Sequence, residues 1–168
     1  EITYMLNRLK QLFDRNKAPT DETHAQYGAM PDDPTLTDAF LSGWFRRESG
    51  ELFEGFPISA DDSVLDIGCG NGPFTSFCAD RGAEVIFADI DASKVAAIAA
   101  MLEGSAARAA HPLVTYANPI PLPDARVSKV IAMEVLEHVD DPRQFMGELV
   151  RVARPGAQFL ITVPAQLG

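Results

Sequence analysis

Ser63-Val-Leu-Asp-Ile-Gly-Cys-Gly-Asn-Gly72 passes from a short apolar run into alternating glycines, and Pro73-Phe74 then opens a segment of helix formers. An apolar run that carries one acid, Asp66, reads as a buried strand followed by a tight turn and a helix. Pro73 falls at the first helical position, where its missing N–H costs nothing. Gly68, Gly70 and Gly72 have no Cβ, so the turn can take positive φ and a ligand can lie against bare backbone. The helix behind it aims unpaired N–H groups and a partial positive charge into the same space. The stretch predicts a small-molecule site.

The glycine spacing narrows the ligand. A dinucleotide site uses Gly-x-Gly-x-x-Gly with an acid on the ribose about 20 residues later. Here the spacing is Gly-x-Gly-x-Gly, and an acid stands in the strand before the first glycine. Glu84-Val-Ile-Phe-Ala-Asp89 is a second apolar run that ends in an acid at a fitting distance for a ribose. Asp66 would repel a phosphate but suit an ammonium group. A ligand with an adenosine ribose at one end and an amino acid at the other fits this pair of acids.

Val64-Leu-Asp-Ile-Gly-Cys-Gly-Asn-Gly72 resembles the first motif of the class I S-adenosylmethionine-dependent methyltransferases, and Phe87-Ala-Asp-Ile-Asp91 resembles the second. Ala132-Met-Glu-Val-Leu-Glu-His-Val139 is similar to the segment after their fourth strand. The three occur in family order, from about Ser63 to Pro164. The resemblance implies S-adenosylmethionine as cofactor. It places Asp66, Gly68, Cys69, Gly70 and Gly72 of the first motif and Asp89 and Ile90 of the second at that cofactor. Met133 joins them through its backbone, as in the ubiquinone-pathway O-methyltransferases. The family commonly has an acid near the end of the third strand for the adenine amino group. Tyr116 stands there in this chain, which leaves Asn118 or the Ala117 backbone for the adenine. Similar family members also bring an arginine to the cofactor carboxylate from a segment before the glycine turn, a role open to Arg47.

Composition bounds the rest. With 168 residues, 46% hydrophobic and 23% charged, the chain has the size and make-up of one ordinary globular domain. A net charge of −10 speaks against nucleic-acid or anionic-membrane partners, which need clustered Lys and Arg. No apolar run is long enough to span a bilayer and no secretory signal opens the chain. Cys69 and Cys78 form no disulfide framework and read as reduced cytoplasmic thiols. His24, His111 and His138 are scattered, so no metal site is expected. The chain opens on Glu1, which points to a processed or trimmed end.

In order along the chain, Ile2, Met5, Leu6, Leu9, Leu12 and Phe13 share one stripe of a helix that packs on the domain or covers its site. The region from Ala18 to Pro34 lacks apolar period and predicts a loop. Leu36, Phe40 and Trp44 predict a second helix from about Thr35 through Arg47, in which Arg46 and Arg47 are either a solvated basic pair or cofactor ligands. Residues 1–60 thus form an N-terminal helical or lid segment, and 61–168 the cofactor-binding core. Further elements follow: a helix from Pro73 to Arg81, a strand from Glu84 to Asp89, and a helix capped by Asp91 with Val95, Ile98 and Leu102 on one face. His111 is expected solvated in a loop. A third strand spans Leu113 to Tyr116, and the Pro-rich loop Asn118 to Asp124 leads to a fourth at Val127 to Ala132. Asp141-Pro142 opens a last helix that buries Phe145, Met146, Leu149, Val150 and Ala153. Pro155-Gly156 stops it before a fifth strand, Gln158 to Val163.

Alternating strands and helices predict a doubly wound, mostly parallel α/β sheet with ligands at the carboxyl ends of its strands. The family usually adds two strands beside the fifth. Their absence would leave Phe159 to Val163 an open edge. The chain is therefore expected to be a piece of a longer protein, or else a homodimer that covers the edge.

Methyl transfer from a sulfonium is an in-line displacement, accelerated by near-attack positioning and exclusion of water. A base is needed only where the acceptor must lose a proton. His138 is the candidate, oriented by Glu134 or Glu137, with a structural helix-entry residue as the alternative. The leading expectation is methylation of a small molecule at oxygen. A nicotinamide-dependent oxidoreductase and a non-catalytic cofactor-binding module are the alternatives.

Overall fold

A computed structural model describes residues 43–164. The stripe from Ile2 to Phe13, the loop from Ala18 to Pro34 and the start of the second expected helix lie outside the described residues. The chain divides into two compact units, Glu1–Pro57 and Ile58–Gly168.

In the first unit, Trp44–Arg46 (β1), Glu51–Phe53 (β2) and Phe56–Pro57 (β3) form a small antiparallel sheet in that order. The helix expected to run through Arg47 is therefore corrected at its end, where β1 is a strand. Trp44 sits opposite Phe53, their ring centroids 4.7 Å apart, and such cross-strand aromatic pairs favour sheet over helix. Arg46 pairs with Glu51 at 3.2 Å across the same ladder.

The second unit is built on Ser63–Ile67 (β4), buried at every position. Pro73–Asp80 (α1), Glu84–Asp89 (β5), Ala92–Met101 (α2) and Ala109–Val114 (β6) follow. Then come Val127–Met133 (β7), a 3-10 turn at Leu136–His138, Pro142–Val152 (α3) and Ala153–Thr162 (β8). The five strands are parallel, in the order β6-β5-β4-β7-β8. The chain winds outward from β4 to β6, then returns to place β7 on the other side of β4. Consecutive Cβ atoms of a strand point to opposite faces, so a strand buried on both sides reads as continuous apolar sequence. Leu65, Ile67, Ile86, Ala88, Val130 and Ala132 share one cluster with Phe145, Leu149 and Val152 of α3. The alternate residues Val64, Val85, Phe87 and Ile131 are as deeply buried, and α1 and α2 pack on β4, β5 and β6. No helix among the described residues is long and apolar enough to cross a membrane.

Three local expectations are corrected. β6 begins at Ala109, so His111 and Pro112 lie in an edge strand, where a proline's missing donor is tolerated. His111 stays exposed, as expected, but its Nε2 lies 3.0 Å from Glu84 Oε1. Val150 is 61% exposed, and Val152 takes its place on the buried face of α3. The helix ends before Pro155-Gly156. These residues instead take up a register jump in β8, between the pairs Val127–Ala153 and Lys129–Gln158.

The amino edge of the sheet is polar. Glu84 accepts from Ser63 Oγ at 2.6 Å and from Arg126 Nη1 at 3.0 Å, and it pairs with Arg126 Nη2 as well. Ser128 Oγ donates to Asp62 Oδ1 at 2.8 Å and accepts from the Ser63 N–H at 3.0 Å. These contacts tie the beginnings of β4 to β7 and leave the carboxyl edge to the site.

Candidate cofactor site at the carboxyl edge

The turn after β4 is anchored by backbone. Gly68 N–H and Cys69 N–H both donate to Ala88 O, at 2.8 and 3.0 Å, which pins the turn to the end of β5. Gly68 takes φ +73°, and a Cβ there would collide with Val135 from the turn after β7. The two turns flanking the point where strand order reverses are thus in direct contact, where open α/β sheets bind their ligands. Gly70 differs: at φ +54° its Cβ would meet nothing nearer than Gly68 O at 4.0 Å. Its backbone faces open space. Gly72 is the left-handed N-cap of α1, packed against Ile98 and Met101 of α2.

Asp89 closes β5 beside this turn. Its Oδ2 accepts from Gly70 N–H at 3.1 Å and its Oδ1 from Asp91 N–H at 3.0 Å. Asp91 caps α2 by accepting from Ser93 N–H at 2.8 Å, as expected of it. Ile90, between the two acids, is 65% exposed, and Tyr116, past the end of β6, is 85% exposed. The Thr115 N–H donates to Asp89 O at 3.1 Å, which joins the ends of β5 and β6. Ala117 follows at φ +64°, buried, with its N–H on Thr115 Oγ1 at 3.2 Å, and Asn118 is exposed.

Asp66 is 2% exposed, with its carboxylate turned toward α1, where Thr75 Oγ1 donates to Oδ2 at 2.5 Å. Loss of hydration pushes its carboxyl up to about 6; the Thr75 hydrogen bonds oppose the shift and the Asp89 charge adds to it. Thr75 is the partner that sequence reasoning missed. The signal was its place on the first turn of α1, facing the strand. Cys69 is also buried, and burial together with the Asp66 and Asp89 charges pushes its thiol up to about 12. Cys69 serves the turn through its backbone, by its N–H on Ala88 O.

On the other side of the reversal, Met133 ends β7 half-buried, its Sδ 3.8 Å from Thr162 Oγ1. Glu134 turns the chain at φ +53°, its N–H donating to Thr162 O at 3.1 Å. His138 lies in the 3-10 turn with its side chain 77% exposed, and Nε2 is 3.9 Å from Glu137 Oε1. Of the two acids expected to orient it, Glu137 is the one within reach. A pocket of about 340 Å³ opens beside the turn, lined by Gly70, Asn71, Ser93, Lys94, Ala97, Ile98 and Met101. It shares Gly70 with the site and none of Asp89, Ala117 or Met133, so it flanks the strand edge. Arg47 is exposed in the turn after β1, in the other unit.

The model of the methyltransferase domain family matches residues 65–161, more than half of the chain and all of this edge. The chain belongs to the class I S-adenosylmethionine-dependent methyltransferases. Among curated relatives, a protein named as a probable S-adenosylmethionine-dependent methyltransferase of Mycolicibacterium smegmatis is 35% identical over 128 residues, 74% of this chain and 46% of that protein. The ubiquinone biosynthesis O-methyltransferase of Sodalis glossinidius is 30% identical over 158 residues, 85% of this chain and 63% of that one. The crystal structure of a methyltransferase dependent on the same cofactor, from Aquifex aeolicus, aligns with TM-score 0.56 and 27% identity, over 64% of this chain and 59% of the other. This methyltransferase chain spans about half the length of the first curated relatives it matches.

Proposed function

We propose that the chain carries the cofactor-binding part of an enzyme that methylates a hydroxyl oxygen of a small molecule. The observation that carries this reading is the convergence of Asp89 and the Gly70 backbone. The carboxylate of an acid at a strand end accepts from the Gly70 N–H at 3.1 Å, and of the turn glycines Gly68, Gly70 and Gly72 it is Gly70 whose missing Cβ would meet no close neighbour. The residues present fit the cofactor. Asp89 holds the ribose hydroxyls by charge-assisted hydrogen bonds, and the bare backbone from Gly68 to Gly70 lies along the amino-acid chain. Exposed Ile90 gives the purine an apolar surface, Ala117 and Asn118 meet its edge, and Met133 lies by the sulfur end.

When bound, S-adenosylmethionine supplies an electrophilic methyl on a positively charged sulfur. The residues of this chain have three tasks. They hold that methyl in line with the acceptor, exclude water, and take up the hydroxyl proton. A ring nitrogen of His138 takes the proton, with Glu137 alongside, and Glu134 closes the floor of the same edge. Oxygen as the methylated atom is supported by the name of the Sodalis relative.

Titration calorimetry of the full chain against S-adenosylhomocysteine and against NAD tests the first part. Binding of the former alone is the expected result, and binding of NAD alone refutes the reading. Transfer of labelled methyl to a panel of phenolic acceptors tests the second. There His138→Ala lowers kcat by about 100-fold with unchanged S-adenosylhomocysteine affinity. A variant as fast as the wild type makes His138 a structural residue.

A further inference from the structure

The segment from Ala117 to Asp124 connects β6 to β7 without helix or strand, and Pro119, Pro121 and Pro123 leave it short of backbone donors. Buried carbonyls in such a segment need partners from elsewhere. Arg151 of α3 supplies them, and Glu148 of the same helix takes the N–H of Ile120. Arg151 Nη1 donates to Leu122 O and to Asp124 Oδ1, both at 2.8 Å. Its Nη2 donates to Ile120 O and Glu148 Oε2, and its Nε to Glu148 Oε1, all at 2.8 Å. Every N–H of the guanidinium is used. Glu148 Oε2 also accepts from the Ile120 N–H at 2.8 Å, so the pair grips both backbone groups of one residue. Ile120 itself is 1% exposed, in the cluster with Phe145 and Leu149.

We infer that Glu148 and Arg151 are positioning residues for the adenine end of the cofactor. They form a clamp on α3 that sets where Ala117 and Asn118 stand, at the mouth of β6. The inference rests on the reading above, in which those two residues meet the purine. Neither clamp residue touches the ligand. The loop departs from β6 through Ala117 in a left-handed conformation, and its far end is fixed to α3 by Arg151. Losing the far anchor frees the near end to wander, and the ordering cost is then paid on binding. A lysine does not substitute, because a single ammonium cannot reach two carbonyls and two carboxylates at the angles of a planar fork.

The test is calorimetry with S-adenosylhomocysteine and with 5′-methylthioadenosine, which keeps only the adenosine end. It is run in the cold on the wild type, Arg151→Met, Arg151→Lys, Glu148→Gln and Asp124→Asn. Failure of the wild type to bind either probe refutes the functional reading rather than the clamp. Given wild-type binding, Arg151→Met raises Kd for both probes by the same factor, about tenfold or more, with Lys giving little rescue. Asp124→Asn, which alters one contact at a side chain 79% exposed, stays within about threefold. A folded Arg151→Met that binds both probes within about twofold of wild type overturns the inference, as does a loss confined to S-adenosylhomocysteine. If Arg151→Met does not fold, Glu148→Gln decides by the same two limits.

Discussion

Asp66→Asn separates what the buried acid does for the fold from what it costs. In the wild type, burial raises the carboxyl from 3.8 to about 6. The folded chain therefore binds the extra proton between those values, and stability falls as pH rises through that window and is level above it. A shift of about two units, at about 1.4 kcal/mol each, makes the ionised acid a burden of about 3 kcal/mol at pH 8. Asparagine removes the charge and keeps an oxygen for Thr75, but it brings amide N–H groups into the site. Leaving one of these unpaired costs about 1 kcal/mol. The variant should thus be about 2 kcal/mol more stable than the wild type at pH 8 and about 1 kcal/mol less stable near pH 3. Urea denaturation of both proteins across that range, read as midpoints at a common slope, measures the difference. Other titrating groups are shared and cancel. A stability difference that does not change with pH refutes the argument, because it would mean that Asp66 is not desolvated as its burial requires.

Asp89→Ala should weaken S-adenosylhomocysteine binding by about 2 kcal/mol or more, roughly 30-fold, in calorimetry. Unchanged affinity would move the ribose to Asp91. By contrast, Asp91→Ala should lower stability by about 1 kcal/mol through loss of the α2 cap and leave that affinity alone. Gly70→Val should abolish binding while thermal melting shows a loss of only about 1–2 kcal/mol, the cost of a side chain at φ +54° with no clash. Arg126 first, with Ser63 and His111 behind it, holds the Glu84 carboxyl down at about 2. The stability it contributes is complete above its ordinary value of 4.5 and is lost as pH falls through about 2. Glu84→Gln should therefore cost on the order of 2 kcal/mol at neutral pH and nothing below about pH 2, by acid titration followed with circular dichroism.

Sequence pattern was enough for the elements that bury apolar residues with a clear period. β4, β5 and α1 fall where apolar runs and glycines put them, and the acids at the strand ends arrive on one edge because the sheet is parallel. It failed where side-chain partners overrule local preference. Trp44 looked helical by its spacing from Phe40, and Phe53 made it a strand. His111 beside a proline looked like loop, but β6 hydrogen-bonds to β5 regardless and Glu84 holds the ring. Thr75 and Arg151 carried no motif at all. Their importance comes from what lies opposite them in space, a carboxylate for one and a proline-rich segment for the other, and no linear spacing records that.

The ionic and hydroxyl contacts around Glu84, Ser63, Asp62 and Ser128 join β4 to its two neighbours at the amino end of the sheet, the end opposite Asp89 and Gly70. These bonds do not depend on which side chains the opposite rim carries. Exposed side chains there, such as Ile90 and Tyr116, can be exchanged without disturbing them, so the two rims of the sheet can change separately.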